Sequence, residues 1–322
     1  MTDKLAKVSP GSLSTAKLVD RAREHASAAV SENTRKAYAR QWRDFKDWCA
    51  AKGVEPMPAR PEVVVLYVTM LSERPMKVAS IAQAVAAISK AHELRNFPSP
   101  RENSAVRMVL KGIRRSLGTH QHQARPIVAE QMRRLLGALG DRLIDKRDAA
   151  LLLLGIYSGC RGSELVAVDM ADVQPVRGGL EILIRRSKTD QEARGRKVAI
   201  PASADTHVCA CTALRVWVKA AGITQGPVFR EVNRHGQAAA TRLGVGAVAE
   251  IVKRTCAKAG VDPKGFSAHS LRAGFITQAI QSGKSERKIM EQTGHKSITV
   301  MREYIRDADL WRDNAAAGLL DE

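Results

Sequence analysis

Residues 179–202 read GLEILIRRSKTDQEARGRKVAIPA, and this stretch decides what kind of fold the chain specifies. Two short runs rich in aliphatic and β-branched residues, GLEILI and KVAIPA, flank a charged segment, which is the pattern of a hairpin with a polar turn. Lys188 falls within that turn. Almost everywhere else the apolar residues recur every three or four positions, the period of an amphipathic helix. The chain therefore reads as mainly α, with a small antiparallel sheet near the start of its second half.

After the hairpin come helical segments at THVCACTALRVWVKAAG, RLGVGAVAEIVKRTCAKAG, SAHSLRAGFITQAIQSG, SERKIMEQTG and SITVMREYIR. Before it lie VAEQMRRLLGALG and KRDAALLLLGIYSG, and then GTHQHQARPI, whose Gly, Pro and lack of apolar residues mark an exposed linker. Its histidines, His120 and His122, read as linker residues and not as ligands. Further upstream, SENTRKAYARQWRDFKDWCAAKG has Ser31 or Asn33 as a cap, apolar Tyr38, Trp42, Phe45 and Trp48 at helical spacing, and Gly53 as a stop. RPEVVVLYVTMLSE, KVASIAQAVAAISKAHELR and SAVRMVLKGIRRSLG complete a bundle, although the valine run alone would also suit a strand. The organisation is a flexible arm at 1–20, a helical domain of four or five helices at 21–116, a linker at 117–127 and a second domain at 128–322.

The formal net charge is +19, from 52 basic and 33 acidic residues. Up to residue 120 there are 21 basic and 11 acidic residues, leaving 31 and 22 after it, so both halves are basic (+10 and +9). Charge spread over folded material points to a long polyanion lying across both domains, and DNA or RNA is the usual one. No apolar run reaches the roughly 18 residues a membrane span needs, and the opening MTDKLAKVSPGSLS lacks the apolar core of a signal peptide. The five cysteines are scattered and odd in number, which argues against a disulfide framework and fits a reducing cytosol. Cys209 and Cys211 sit close to His207, but no second ligand pair follows at structural-zinc spacing.

Several charged groups sit where elements end. Arg161 follows the break at Gly159, with Glu164 one turn on as a bidentate partner. His269 and Arg272, spaced i and i+3, share a helix face and can address one phosphate. His295 follows Gly294 at the start of another element, and Tyr304 lies nine residues further on. Two arginines, two histidines, a lysine and a tyrosine, with no acidic cluster to hold magnesium, suit metal-free cleavage of a phosphodiester. That chemistry needs a covalent nucleophile, fixed cations for the nonbridging oxygens, and an acid for the leaving alkoxide.

At this point a resemblance becomes specific. TRKAYARQWRDFKDWC, SGCRGSEL, SKTD, HSLRAGF, TGHKS and Tyr304 occur in the order and at the intervals of the tyrosine recombinases, the phage-integrase family, over nearly residues 25 to 312. The chain is most similar to the simple two-domain site-specific recombinases. The resemblance implies an N-terminal core-binding (SAM-like) domain and a catalytic domain that clamp duplex DNA. It implies Tyr304 as the nucleophile forming a 3'-phosphotyrosyl link, Arg161 and Arg272 on the nonbridging oxygens, and Lys188 as the acid for the 5'-oxygen. His269 would handle protons, His295 would be a further hydrogen-bond donor, and Glu164 would support the arginine. It also implies no cofactor, no metal and no ATP; paired inverted-repeat sites on double-stranded DNA; a dimer on one site and a tetramer, through a Holliday junction, in the synapse. No obligatory small ligand, no membrane, and a cytoplasmic, nucleoid-associated life in a bacterium or phage go with it. The tail beyond Tyr304, with Leu310 and Trp311, would dock on a neighbouring protomer, as in relatives, the alternative being that it packs on its own domain. Arg114, Arg115, Arg185, Arg186, Arg194, Lys197 and Arg242 are the candidate DNA contacts. The competing readings are strand relaxation of the type IB topoisomerase kind and a DNA-binding protein that does not cleave.

Overall fold

The computed structural model describes residues 30–118, 123–187, 190 and 195–298, with the isolated positions 17, 18, 20, 21, 25 and 316. Most of the arm, His120 and His122 of the linker, Lys188, Arg194, Tyr304 and the tail with Leu310 and Trp311 lie outside the described residues, as does the helical reading of SITVMREYIR beyond Ile298. The chain divides into two compact units, Met1–Gln121 and His122–Glu322.

In the first unit, residues 30–118 hold four α-helices: α1 (Glu32–Lys52), α2 (Pro61–Ser72), α3 (Val78–Glu93) and α4 (Ser104–Leu117). The Ser31 hydroxyl starts α1 by accepting the Thr34 amide N–H at 3.2 Å. Gly53 ends it in the left-handed region, φ 64°, where a residue without a Cβ is unstrained. Phe45 and Cys49 enter the core, with Trp42 and Trp48 packed on its edge, so the aromatic stripe is structural. In α2, Pro61 presets the first helical φ, and burial of Val63, Val64, Tyr67, Val68 and Leu71 overrides the strand preference of the valines. His92 of α3 is buried with both nitrogens used: Nε2 accepts the Ala59 amide N–H at 2.8 Å, which leaves Nδ1–H to donate to the Ile88 carbonyl at 2.8 Å. Asn103 caps α4 through the Ala105 amide.

The second unit is built around α6 (Leu143–Ser158), preceded by α5 (Ala129–Gly137). Ala150 to Leu154 are all buried, as befits a helix that is apolar all round and surrounded by protein. Each of the four leucines contributes about 1.5–3 kcal/mol by leaving water. Around α6 lie α7 (Gly162–Ala167), α8 (Ala210–Ala220), α9 (Val245–Lys258), α10 (His269–Gln281) and α11 (Glu286–Thr293). A three-stranded antiparallel sheet has the order β1 (Val173–Val176), β2 (Gly179–Ile184), β3 (Arg196–Pro201). Its β2–β3 pair is the hairpin read from sequence, in the register Ile182↔Val198 and Ile184↔Arg196.

Two features depart from the sequence reading. A second hairpin, β4 (Arg230–Val232) and β5 (Ala238–Arg242), went unread because three residues and an alanine run carry no apolar alternation. Consequently α9 begins at Val245, and Arg242 belongs to a strand and not to the helix. The strand β1 was also missed, since VQPV contains a proline and is mostly exposed.

Two buried arrangements fix the frame. Asp148 of α6 accepts Arg147 Nε and Nη2 on one oxygen, at 2.9 and 2.6 Å, and Arg254 of α9 on the other, at 2.6 Å. Towards the C-terminal end of α6, α10 is wedged between α6 and residues 125–127. The Leu271 side chain fills the place where Gly155 of α6 lacks a Cβ, and the Ile127 backbone runs directly over Gly274. The Ile127 amide donates to the Ser270 carbonyl at 3.1 Å.

Candidate active site

The site is assembled from the ends of α6, α7, α10 and α11. The Leu-rich α6 stops at Gly159, φ 59°, where an added Cβ would meet Phe275 at 2.7 Å and Thr293 at 2.9 Å. Both the left-handed turn and the close approach of two neighbours therefore require glycine there. Two residues later Arg161 sits just before α7, and Glu164 returns to it from the first turn. Glu164 accepts the Arg161 amide N–H on Oε2 at 3.2 Å and Arg161 Nη1 on Oε1 at 2.8 Å. The same carboxylate accepts the Ser187 hydroxyl at 2.7 Å and Arg196 Nη2 at 2.8 Å. Burial by itself would raise the pKa of Glu164, but Arg196, Ser187 and Arg161 outweigh it and hold the carboxyl at about 2.

The start of α10 is fixed by reciprocal serine bonds: Ser267 N–H to the Ser270 hydroxyl, and His269 N–H to the Ser267 hydroxyl. One turn further, Arg272 is fully buried. Its Nη1 donates to the carbonyls of Gly159 and Thr293, both at 2.7 Å. These are carbonyls at the ends of α6 and α11, where helix dipoles favour a cation. Arg272 Nη2 lies 2.9 Å from Nε2 of His295.

This geometry assigns the His295 tautomer. Arginine only donates, so Nε2 accepts. On the other side, Thr293 Oγ1 spends its proton on the Ile289 carbonyl at 2.7 Å, so His295 Nδ1–H donates to Thr293 Oγ1 at 2.8 Å. His295 is therefore neutral, and its pKa is pulled down to about 4 by burial and then by the charges of Arg272, Arg161, His269 and Arg196. The pKa of His269 is lowered as well, by surrounding protein first and then by Arg272 and Arg161. A lowered pKa keeps the imidazole unprotonated at neutral pH, in the form that accepts a proton, and makes it a weaker base than an ordinary histidine.

Of the residues singled out from sequence, the structure brings together Arg161, Glu164, His269, Arg272 and His295. Lys188 and Tyr304 lie outside the described residues, though Ser187, next to Lys188, is bound to both Glu164 and Arg161. Among the described residues no group of three His, Cys, Asp or Glu side chains is placed to hold a metal ion. The candidate DNA contacts divide into two kinds. Arg114, Arg115 and Arg186 are exposed. Arg185 is paired with Asp172 and Lys197 with Glu181, while Arg242 clamps the Val166 carbonyl at 2.7 Å and Asp169 at 2.6 Å. Sequence reasoning missed Arg196 as part of the site. Its signal was the strand period, which sets Arg196, Val198 and Ile200 on one face and so turns the arginine inward.

The model of the Phage integrase family matches residues 125–310. A Selenomonas ruminantium protein described as an integrase/recombinase xerD homolog is 37% identical over 300 residues, covering 92% of this chain and 87% of the relative. The chain belongs to the phage integrase family. Like other tyrosine recombinases of that family, it is an enzyme of site-specific DNA recombination. Recombinase cre of Escherichia phage P1 is 26% identical over 301 residues, covering 87% of this chain and 86% of its own. The fold is shared with XerH site-specific recombinase, solved bound to a palindromic difH substrate, at TM-score 0.63 and 19% identity over 89% of this chain and 80% of that one. A lambda integrase dimer bound to a COC' core site superposes at TM-score 0.59 and 16% identity, over 91% and 95%.

Proposed function

We propose that this recombinase breaks and rejoins duplex DNA through Tyr304, without metal or ATP. The Tyr304 phenolate attacks phosphorus, the P–O5' bond breaks, and a 3'-phosphotyrosyl link forms. Lys188 supplies the proton that turns the departing 5'-oxygen into a hydroxyl. His269 takes up the phenol proton: its lowered pKa keeps the ring unprotonated before the step, and the negative charge growing on the phosphate offsets the nearby arginines as the proton arrives. Arg161 and Arg272 face the nonbridging oxygens, where negative charge grows in the transition state. Nε2 of His295 accepts from Arg272 in the structure; that nitrogen becomes a donor only when the ring is protonated, and an incoming phosphodiester favours that by countering the surrounding positive charge. In the reverse step a 5'-hydroxyl from the partner strand attacks the link and frees Tyr304, so the bond energy is conserved through a Holliday junction.

The observation that carries this reading is the convergence of Arg161, Arg272, His269 and His295 around helix ends that hold Arg272 from behind. On this reading residues 21–116 form a core-binding domain reached through the 117–127 linker, with the 1–20 arm ahead of it, and residues 128–322 form the catalytic domain. The two basic domains hold inverted-repeat duplex DNA, as a dimer on one site and a tetramer in the synapse. An apolar groove of about 460 Å³, lined by Met132, Leu153, Ile156, Tyr157, Phe275 and Ile289, suits the tail of a neighbouring protomer with its Leu310 and Trp311. A cytoplasmic, nucleoid-associated enzyme fits such a substrate.

The test is covalent capture on DNA carrying the protein's own mapped site. Wild type forms a protein–DNA adduct and, with two sites, recombinants and junctions, whereas Tyr304→Phe binds the duplex and forms no adduct. Relaxed circles alone would favour a topoisomerase, and binding without any wild-type adduct would leave only a DNA-binding protein.

A further inference from the structure

Arg196 opens β3 directly opposite Ile184, the last residue of β2, so it sits at the root of the β2–β3 hairpin. Its planar head touches three parts of the site at once. Nη2 donates to Glu164 Oε2 at 2.8 Å and lies 3.6 Å from Cys160 Sγ, beside Arg161. Nε donates to the carbonyl of Gln292, at the end of α11, at 3.4 Å. Its face lies against Gly294, where an added Cβ would stand 3.1 Å from the guanidinium carbon, immediately before His295. Gln292 in turn donates to the Ala199 carbonyl of β3 at 3.0 Å, a second staple between the same two elements.

We propose that Arg196 is a positioning residue for strand cleavage, one guanidinium that sets the start of β3, the Arg161–Glu164 pair and the Gly294–His295 turn in a single register. The proposal rests on the roles given above to those residues. Arg161 and Arg196 share one buried carboxylate. Without Arg196, Glu164 keeps Arg161 and Ser187 but loses its second arginine, and the α11 terminus keeps the Gln292–Ala199 bond to β3 but loses the guanidinium that packs on Gly294. Lysine keeps the charge but offers a point donor in place of a planar fork, so it cannot serve Glu164 and the Gln292 carbonyl together.

The test uses the full chain as wild type, R196M and R196K, with two readouts. The first is the single-turnover rate of adduct formation on a nicked duplex bearing the mapped site, at saturating protein. The second is the NMR titration of His295 in the free protein, whose ring is faced by Arg272, Arg161, His269 and Arg196. R196M is expected to bind the duplex as wild type does and to cleave about 10- to 100-fold more slowly, the range seen when an outer partner that orients a functional group is removed. His295 should then titrate at higher pH. R196K should keep the wild-type titration of His295 and recover only part of the rate. Cleavage by R196M at the wild-type rate overturns the proposal. So does a loss matched by the unfolded fraction with His295 unmoved, since that marks a merely structural ion pair. If wild type forms no adduct, the cleavage reading fails, while the His295 titration still decides whether Arg196 governs that turn.

Discussion

Replacing Glu164 by glutamine keeps its shape but removes the charge on which two arginines and a serine converge. The cost follows from the carboxyl's own titration. Its pKa falls from 4.5 to about 2 in the folded chain, because Arg196, Ser187 and Arg161 more than offset burial. With the side chain 1% exposed, solvent screening removes little of this. At 1.36 kcal/mol per pH unit, the difference is worth about 3 kcal/mol. Because the folded pKa is depressed, this stability is fully present above about pH 4.5 and drains away as pH falls towards 2. Roughly 1 kcal/mol of it is gone by pH 3.5. Urea unfolding of the full chain, read by hydrogen exchange in peptides from α7 and β3, reports the second unit by itself. E164Q should be less stable than wild type by about 3 kcal/mol at pH 7, and the gap should narrow below pH 4.5. A gap that is absent at pH 7, or that stays constant down to pH 3.5, would refute the argument that the charge, and not the packing, is what Glu164 contributes.

Gly274→Ala places a methyl group into the Ile127 carbonyl; overpacking against backbone should cost about 1–3 kcal/mol in urea unfolding and slow adduct formation by tilting His269 and Arg272. Asp148→Ala leaves the buried Arg147 without its carboxylate and should lower stability by about 3–5 kcal/mol, a loss that replacement of Arg147 and Asp148 together by apolar residues partly restores. Nitrogen-15 NMR of the free protein should show His295 as the neutral Nδ1–H tautomer from pH 8 down to pH 5, in keeping with its pKa of about 4; an imidazolium at pH 6 would contradict the assigned bonds to Arg272 and Thr293.

Much of this was legible in the residues because it was local. Ser31, Pro61 and Gly53 fix helix ends through chemistry within a few positions, and the 179–202 hairpin announces itself by period and by its polar turn. The pairing of Arg161 with Glu164 followed from i,i+3 spacing alone. What stayed hidden is non-local. Arg196 enters the site only because the β2–β3 register sets it against Glu164, 32 positions upstream. The anchoring of Arg272 on the Gly159 and Thr293 carbonyls depends on where two other helices stop. The β4–β5 hairpin stayed unread for another reason: its alanines carry no alternation, and Arg242 gains its place by reaching carbonyls at the end of α7.

The crossing of residues 125–127 over α10 bears on how the molecule can be divided. The Arg125 amide donates to the Gly265 carbonyl, its guanidinium lies 4.8 Å from the centre of the Phe266 ring, and Ile127 is fully buried. A fragment beginning at residue 128 would thus expose the trench over Gly274 and release the helix start that holds His269. The working boundary for expressing the catalytic half by itself lies ahead of Arg125, so the last residues of the apparent linker serve as the lid on the helix beneath them.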